Sequence, residues 1–89
     1  MDKRVWKYTL ETVDKQTFSL PANAKLLKIV MLKGDPYLYA MVDLRNEREN
    51  ITILTFGTGQ NIPNDKVEYI DTYINKQWGL VWHVFKKEK

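Results

Sequence analysis

Apolar and polar residues alternate along much of this chain with the two-residue period of strands that bury one side. Trp6, Tyr8 and Leu10 alternate with polar neighbours in Val5–Leu10, as Phe18 and Leu20 do in Gln16–Leu20, so each segment predicts a short strand. Polar Glu11–Lys15 lies between them and predicts the turn of a hairpin. After a break at Pro21-Ala22-Asn23, Ala24–Lys33 carries large apolar residues on both parities: Leu26, Val30 and Leu32 on one, Leu27, Ile29 and Met31 on the other. Periodicity alone does not separate a helix from a doubly covered strand there. The tight turn expected at Gly34-Asp35-Pro36 and the strand-length run Tyr37–Asp43 favour a strand.

Leu44–Asn50 has two arginines, two glutamates and little apolar content, which predicts a solvated hairpin tip leading into a strand at Ile51–Phe56. The segment from Gly57 to Asp65 concentrates turn formers and predicts a loop kinked at its glycines. Val67–Ile74 and Leu80–Lys86 complete the set, with the reversal between them at Lys76-Gln77-Trp78-Gly79. Seven short strands at hairpin spacing predict an all-β fold, a small antiparallel sandwich or a partly open barrel.

Length and composition narrow the functional classes. The chain has 89 residues, which predicts a single β domain over 1–89 and excludes a two-domain enzyme. With no cysteine, one histidine and one serine, thiolate zinc sites, disulfide staples and most triad chemistry are out of reach. The formal charge of +3 comes from the two ends, while residues 5–85 balance at nine cations against nine anions. An even balance argues against a duplex-DNA surface, which needs clustered cations, and leaves a small anion open as a partner. The N-terminus lacks the apolar run of a signal peptide, and no stretch approaches the ~20 apolar residues of a membrane span, so the expected location is the cytoplasm with no membrane partner.

Three segments, 26–32, 37–42 and 80–85, have large apolar groups on both sides of a strand, although a two-layer domain covers only one face of each sheet. A second copy could cover the rest. This surplus predicts a homo-oligomer, a dimer or tetramer built on two-fold axes. The alternative is a monomeric barrel whose lumen takes the extra rings.

Candidate chemistry is sparse. Gly57-Thr58-Gly59 allows backbone N–H groups to approach an anion, but lacks the lysine and spacing of a phosphate loop, so a plain turn or bulge is the competing explanation. Thr58 and Gln60 could read a base edge or a phosphate without carrying charge. His83 has no nucleophile or carboxylate at an identifying spacing, and the carboxylates are scattered, so no catalytic set, metal site or cofactor is expected. What remains is recognition: Tyr8, Tyr39, Trp78 and Trp82 as stacking platforms, with Lys7, Lys28 and Arg45 as cations for phosphates. For each of these rings, filling the core is the alternative role.

Several segments, taken in order, resemble a family of small phage-encoded domains. These are Trp6-Lys7-Tyr8-x-Leu10, Leu20-Pro21-x-x-Ala24-Lys25-x-Leu27, Gly34-x-Pro36-Tyr37-Leu38-Tyr39-Ala40-x-Val42-Asp43, Gly57-Thr58-Gly59-x-x-Ile62-Pro63, Tyr69-Ile70-x-Thr72-Tyr73 and Val81-Trp82-His83-Val84-Phe85. The chain departs from that pattern in carrying Tyr39 where tryptophan is expected, and in its more basic C-terminus. The resemblance implies a phage setting in the cytoplasm of an infected bacterial host. The chain is also similar to the immune-evasion sponges that sequester cyclic nucleotide signals of bacterial CBASS defence, such as cyclic GMP–AMP, without cleaving them. That similarity implies a non-enzymatic binder with ligand contacts among Lys7, Tyr8, Tyr39, Arg45, Thr58, Gly59, Gln60, Trp78, Trp82 and His83. Two other functions stay open: a phage inhibitor or accessory protein that binds another protein, and a single-stranded nucleic-acid-binding β-barrel.

Overall fold

A computed structural model of the chain describes residues 2–63 and 66–88. It contains seven strands: β1 Lys3–Thr9, β2 Lys15–Pro21, β3 Lys25–Leu32, β4 Asp35–Asp43, β5 Arg48–Gly57, β6 Val67–Asn75 and β7 Leu80–Lys87. All seven expected strands are present, most of them longer than expected by a residue or two. They form two antiparallel sheets, a first of order β1-β4-β3 and a second of order β2-β5-β7-β6, which do not close into a barrel. Among the described residues no helix is long and apolar enough to cross a membrane.

The inner faces of both sheets share one core. Leu38 of β4 and Ile29 of β3 come from the first sheet, while Leu20, Ile51, Ile53, Tyr73 and Val84 come from the second. Alternation places Ala40 and Val42 on the same side of β4 as Leu38, and all three are almost wholly buried. Burial raises the pKa of the Tyr73 phenol, partly offset by its 2.6 Å hydrogen bond to the Thr12 hydroxyl.

Two expected hairpins do not form. β1 pairs with β4 rather than β2, and β2 pairs with β5, so both the Glu11–Asp14 link and the Leu44–Glu47 link carry the chain from one sheet to the other. Leu10, at the end of β1, is buried and sends its N–H to the Pro36 carbonyl. The backbone of Glu11 is then satisfied by the Gln16 amide in both directions, at 3.1 and 2.7 Å, instead of by a hairpin ladder. At the second link, Asn46 Nδ2 donates to the Ala22 carbonyl and Ala22 N–H to the Glu47 carbonyl, which makes 44–47 a pinned crossover, while Arg48–Asn50 of the expected tip begin β5. The hairpins that do form are β3–β4, through a two-residue turn of Lys33 and Gly34 with φ of 51° and 85°, and β6–β7.

The margins of β3 and β6 meet, and a side chain bridges them. Each strand has a bulge at this point, at Leu26/Lys28 and at Tyr69/Asp71. The Asp71 carboxylate accepts from the N–H of buried Ile29 at 2.9 Å and from the N–H of Thr72 at 2.8 Å, with Lys28 Nζ 3.5 Å away. Removing the carboxylate strands two backbone donors, so Asp71→Ala is expected to cost about 1–3 kcal/mol, measured as a lower urea midpoint.

Candidate functional site

The outer face of the first sheet has a pattern that appears only once the strands are in register. Alternation turns Tyr37, Tyr39 and Met41 of β4 outward, and each lies half-buried between its neighbours. Lys7 of β1 and Lys28 of β3 both pair with Tyr39, so one cross-strand row reads Lys7–Tyr39–Lys28. In the next row Tyr37 lies between Thr9 and Val30, and the Lys7 ammonium sits 4.8 Å from the centre of the Tyr37 ring. Beside these rings, Lys7, Leu32, Lys33, Asp35 and Tyr37 line a groove of about 420 Å³, in the size range of small-ligand sites. The left-handed φ of Lys33 in the β3–β4 turn holds this lysine at the rim. Among the described residues Lys7, Lys25 and Lys33 make no ion pair. The even charge balance along the chain therefore hides an uneven one in space, with five lysines (Lys3, Lys7, Lys25, Lys28, Lys33) on or beside this face.

Arg45 is engaged elsewhere. Its guanidinium grips the Asp43 carboxylate at 2.9 and 3.1 Å, and its own N–H donates to the same group at 3.0 Å. These hydrogen bonds, opposed by desolvation and helped by the charges of Arg45 and Lys3, lower the Asp43 pKa from 3.8 to about 2. Because the folded pKa is the lower one, the contribution of this pair is fully present above pH 3.8 and is lost as pH falls through about 2. An NMR titration is expected to place Asp43 near pH 2, and Arg45→Ala to return it toward 3.8.

The other expected residues divide between the core and the far end of the second sheet. Tyr8 faces inward, edge-on to Phe18 at 6.1 Å, and serves packing. Trp82 also points inward, beside Gly57, where an added Cβ would lie 3.4 Å from the indole. Gln60 closes its own turn: its Oε1 accepts from Gly57 N–H at 2.8 Å while its N–H donates to the Gly57 carbonyl. Gly59 supplies the left-handed residue of that turn, with φ 88°. Trp78 is exposed in the β6–β7 turn. Between these two turns lies a groove of 380 Å³ lined by Gly57, Thr58, Gly79, Leu80, Val81 and Trp82, with no cation among its lining residues.

His83 occupies the outer face of the second sheet within a chain of hydroxyls. Its Nε2 meets Thr58 Oγ1 at 2.8 Å, its Nδ1 meets Thr72 Oγ1 at 3.1 Å, and Thr72 in turn meets the Tyr69 hydroxyl at 2.6 Å. Both ring nitrogens are thus held by threonines, and neither faces a carboxylate that would orient the ring as a base. No cluster of three or more metal-ligating side chains occurs among the described residues.

The whole chain, residues 1–89, matches the family model described as a domain of unknown function, DUF7352. The chain belongs to that family. No curated protein and no solved structure matches it. In this DUF7352 domain Tyr8 packs in the core and Arg45 is held by Asp43, while the other expected site residues form two groups: Lys7 and Tyr39 with Lys28 on the first sheet, and Thr58, Gly59, Gln60, Trp78, Trp82 and His83 around the end of the second. Tyr37 and Lys33 were not expected as site residues. The signal that could have found Lys33 is the Lys-Gly pair between two strands, which suits a two-residue hairpin turn better than Gly-Asp-Pro does.

Proposed function

We propose that this DUF7352 domain is a non-enzymatic binder of a cyclic nucleotide second messenger, such as cyclic GMP–AMP, and that it withholds that signal from bacterial CBASS defence on behalf of a phage. The Lys7–Tyr39–Lys28 row is the observation that carries this reading. A half-buried phenol ring flanked by two lysines offers a face for a base and two cations for phosphates, and a groove continues past it along Tyr37 and Lys33. The residues of this face suit holding rather than cleaving. Lysines and tyrosines neutralise and stack, Asp43 is held by Arg45, and His83 lies on the other sheet.

Capture that competes with a host receptor needs roughly nanomolar affinity, about 12 kcal/mol. The test is to incubate the protein with cyclic GMP–AMP, cyclic di-GMP and a cyclic triadenylate, remove unbound nucleotide, denature the protein and chromatograph what is released. Intact nucleotide is the expected product. Linear nucleotide would make the protein a phosphodiesterase, and retention of none of the three would overturn the proposal.

The lysines and tyrosines interleaved on the same face favour a second reading, a platform for single-stranded nucleic acid. Binding of a fluorescent oligothymidylate that falls by orders of magnitude as salt rises would support that reading.

A further inference from the structure

β1 is a seven-residue strand with one partner. It lies at the margin of the first sheet, paired only with β4, and all of its residues except Tyr8 are exposed. Trp6 faces the core side, opposite buried Ala40, yet 45% of its surface remains open and it is not among the residues packed on the shared core. Val5, on the outer side, is 55% exposed. An exposed edge of this kind is a template for another strand unless something blocks it, and lysines are a usual block. β1 carries Lys3, Arg4 and Lys7.

We infer that a second copy of this chain pairs with β1 about a two-fold axis at Trp6, and that Lys7 of both copies then meets the phosphates of one nucleotide lying across the axis, an arrangement that rests on the nucleotide reading above. The charges select the axis. A two-fold axis perpendicular to the sheet opposes residues of the same parity, so it must lie midway between one residue of β1 and the same residue of the second copy. Centred on Arg4 or Lys7, it opposes that cation to itself; centred on Val5, it opposes Lys3 to Lys7; centred on Tyr8, it pairs only residues 7–9. Centred on Trp6, it pairs the full strand, with Lys3 opposite Thr9, Arg4 opposite Tyr8 and Val5 opposite Lys7. No cation faces a cation, and the two indoles meet under the joined sheet where one alone is half open.

The six-stranded sheet that results has a two-fold outer face. With strands ~4.8 Å apart and ~3.4 Å per residue, the two Lys7 Cα atoms lie ~8 Å apart across the axis, and the two Tyr39 Cα atoms ~16 Å apart on either side of them. A cyclic dinucleotide has the matching layout, with two phosphates in its ring and a base at each end. The lysines would meet the phosphates and the tyrosines the bases. Without an anion, the ammonium groups near the axis oppose pairing; a dianion removes that repulsion, so assembly and binding are linked.

The chain has no cysteine, which makes a single introduced thiol an unambiguous reporter. Trp6→Cys places the thiols of two copies opposite each other, whereas Thr9→Cys places them on opposite ends of the paired strands. With cyclic GMP–AMP added under mild oxidation, the first variant is expected to form a covalent dimer and the second to remain monomeric. Light scattering of the unaltered protein is expected to show the mass doubling, with one nucleotide retained per two chains. Retention of one nucleotide per chain at the monomer mass would overturn the pairing and leave the nucleotide reading standing. A Trp6→Cys dimer with no nucleotide retained would overturn the nucleotide reading alone, and monomers that retain none would overturn both.

Discussion

Leu38→Ala is expected to lower the stability of this domain by about 2–5 kcal/mol, the usual cost of truncating a fully buried leucine and leaving a cavity behind. Leu38 has no exposed surface and sits at the centre of β4, the middle strand of the first sheet, where it meets Ile29 and the residues of the opposite sheet. A chain of this length commonly has only about 4–13 kcal/mol in total. The variant should therefore lose a large share of its stability, with a urea midpoint lower by roughly 1–3 M. A shift below a few tenths molar would mean that the two sheets do not share the core centred on this residue.

Reversing both lysines of the cross-strand row, Lys7→Glu with Lys28→Glu, is expected to abolish nucleotide capture while leaving the fold intact. A hydrogen bond to a charged group contributes about 1.5–3 kcal/mol, so losing two and adding repulsion should weaken binding by at least ~100-fold. Lys7 lies in an exposed position of β1 and the Lys28 side chain is 69% exposed, so the unfolding midpoint should move little. Lys28 also lies near Asp71, so Lys7→Glu alone separates loss of ligand from any loosening of the seam. Equilibrium dialysis with labelled cyclic GMP–AMP, run beside thermal melts, gives both readouts. Undiminished capture by the double variant would move the site to the far end of the second sheet.

The strands were legible because alternation and turn residues are local signals, and Gln16–Leu20, Ile51–Phe56 and Leu80–Lys86 all fall on observed strands. Pairing was not legible, because period-two alternation says which side of a strand is buried and nothing about its neighbour. Glu11–Lys15 and Leu44–Asn50 have the composition of hairpin tips, yet each crosses between sheets, and what decides this is the burial of Leu10 and the hydrogen bonds of Gln16 and Asn46. The candidate site shared that fate. Lys7, Lys28 and Tyr39 are individually unremarkable in the chain, and only the order β1-β4-β3 sets them in one row. Arg45 and Gln60 looked available because a sequence does not show that each is bound to a group two or three residues away.

The exchange of partners between the sheets has a consequence for how the chain reaches its native state. The first two strands leave the ribosome well before the fourth and fifth, which they need, and neither can be satisfied by its immediate successor. Closing such distant pairs before any reward arrives makes the search slow, on the order of milliseconds to seconds, rather than the microseconds of a locally wired bundle. The β3–β4 turn is the natural place for that search to begin, since it joins neighbours directly and builds the strand on which β1 later docks.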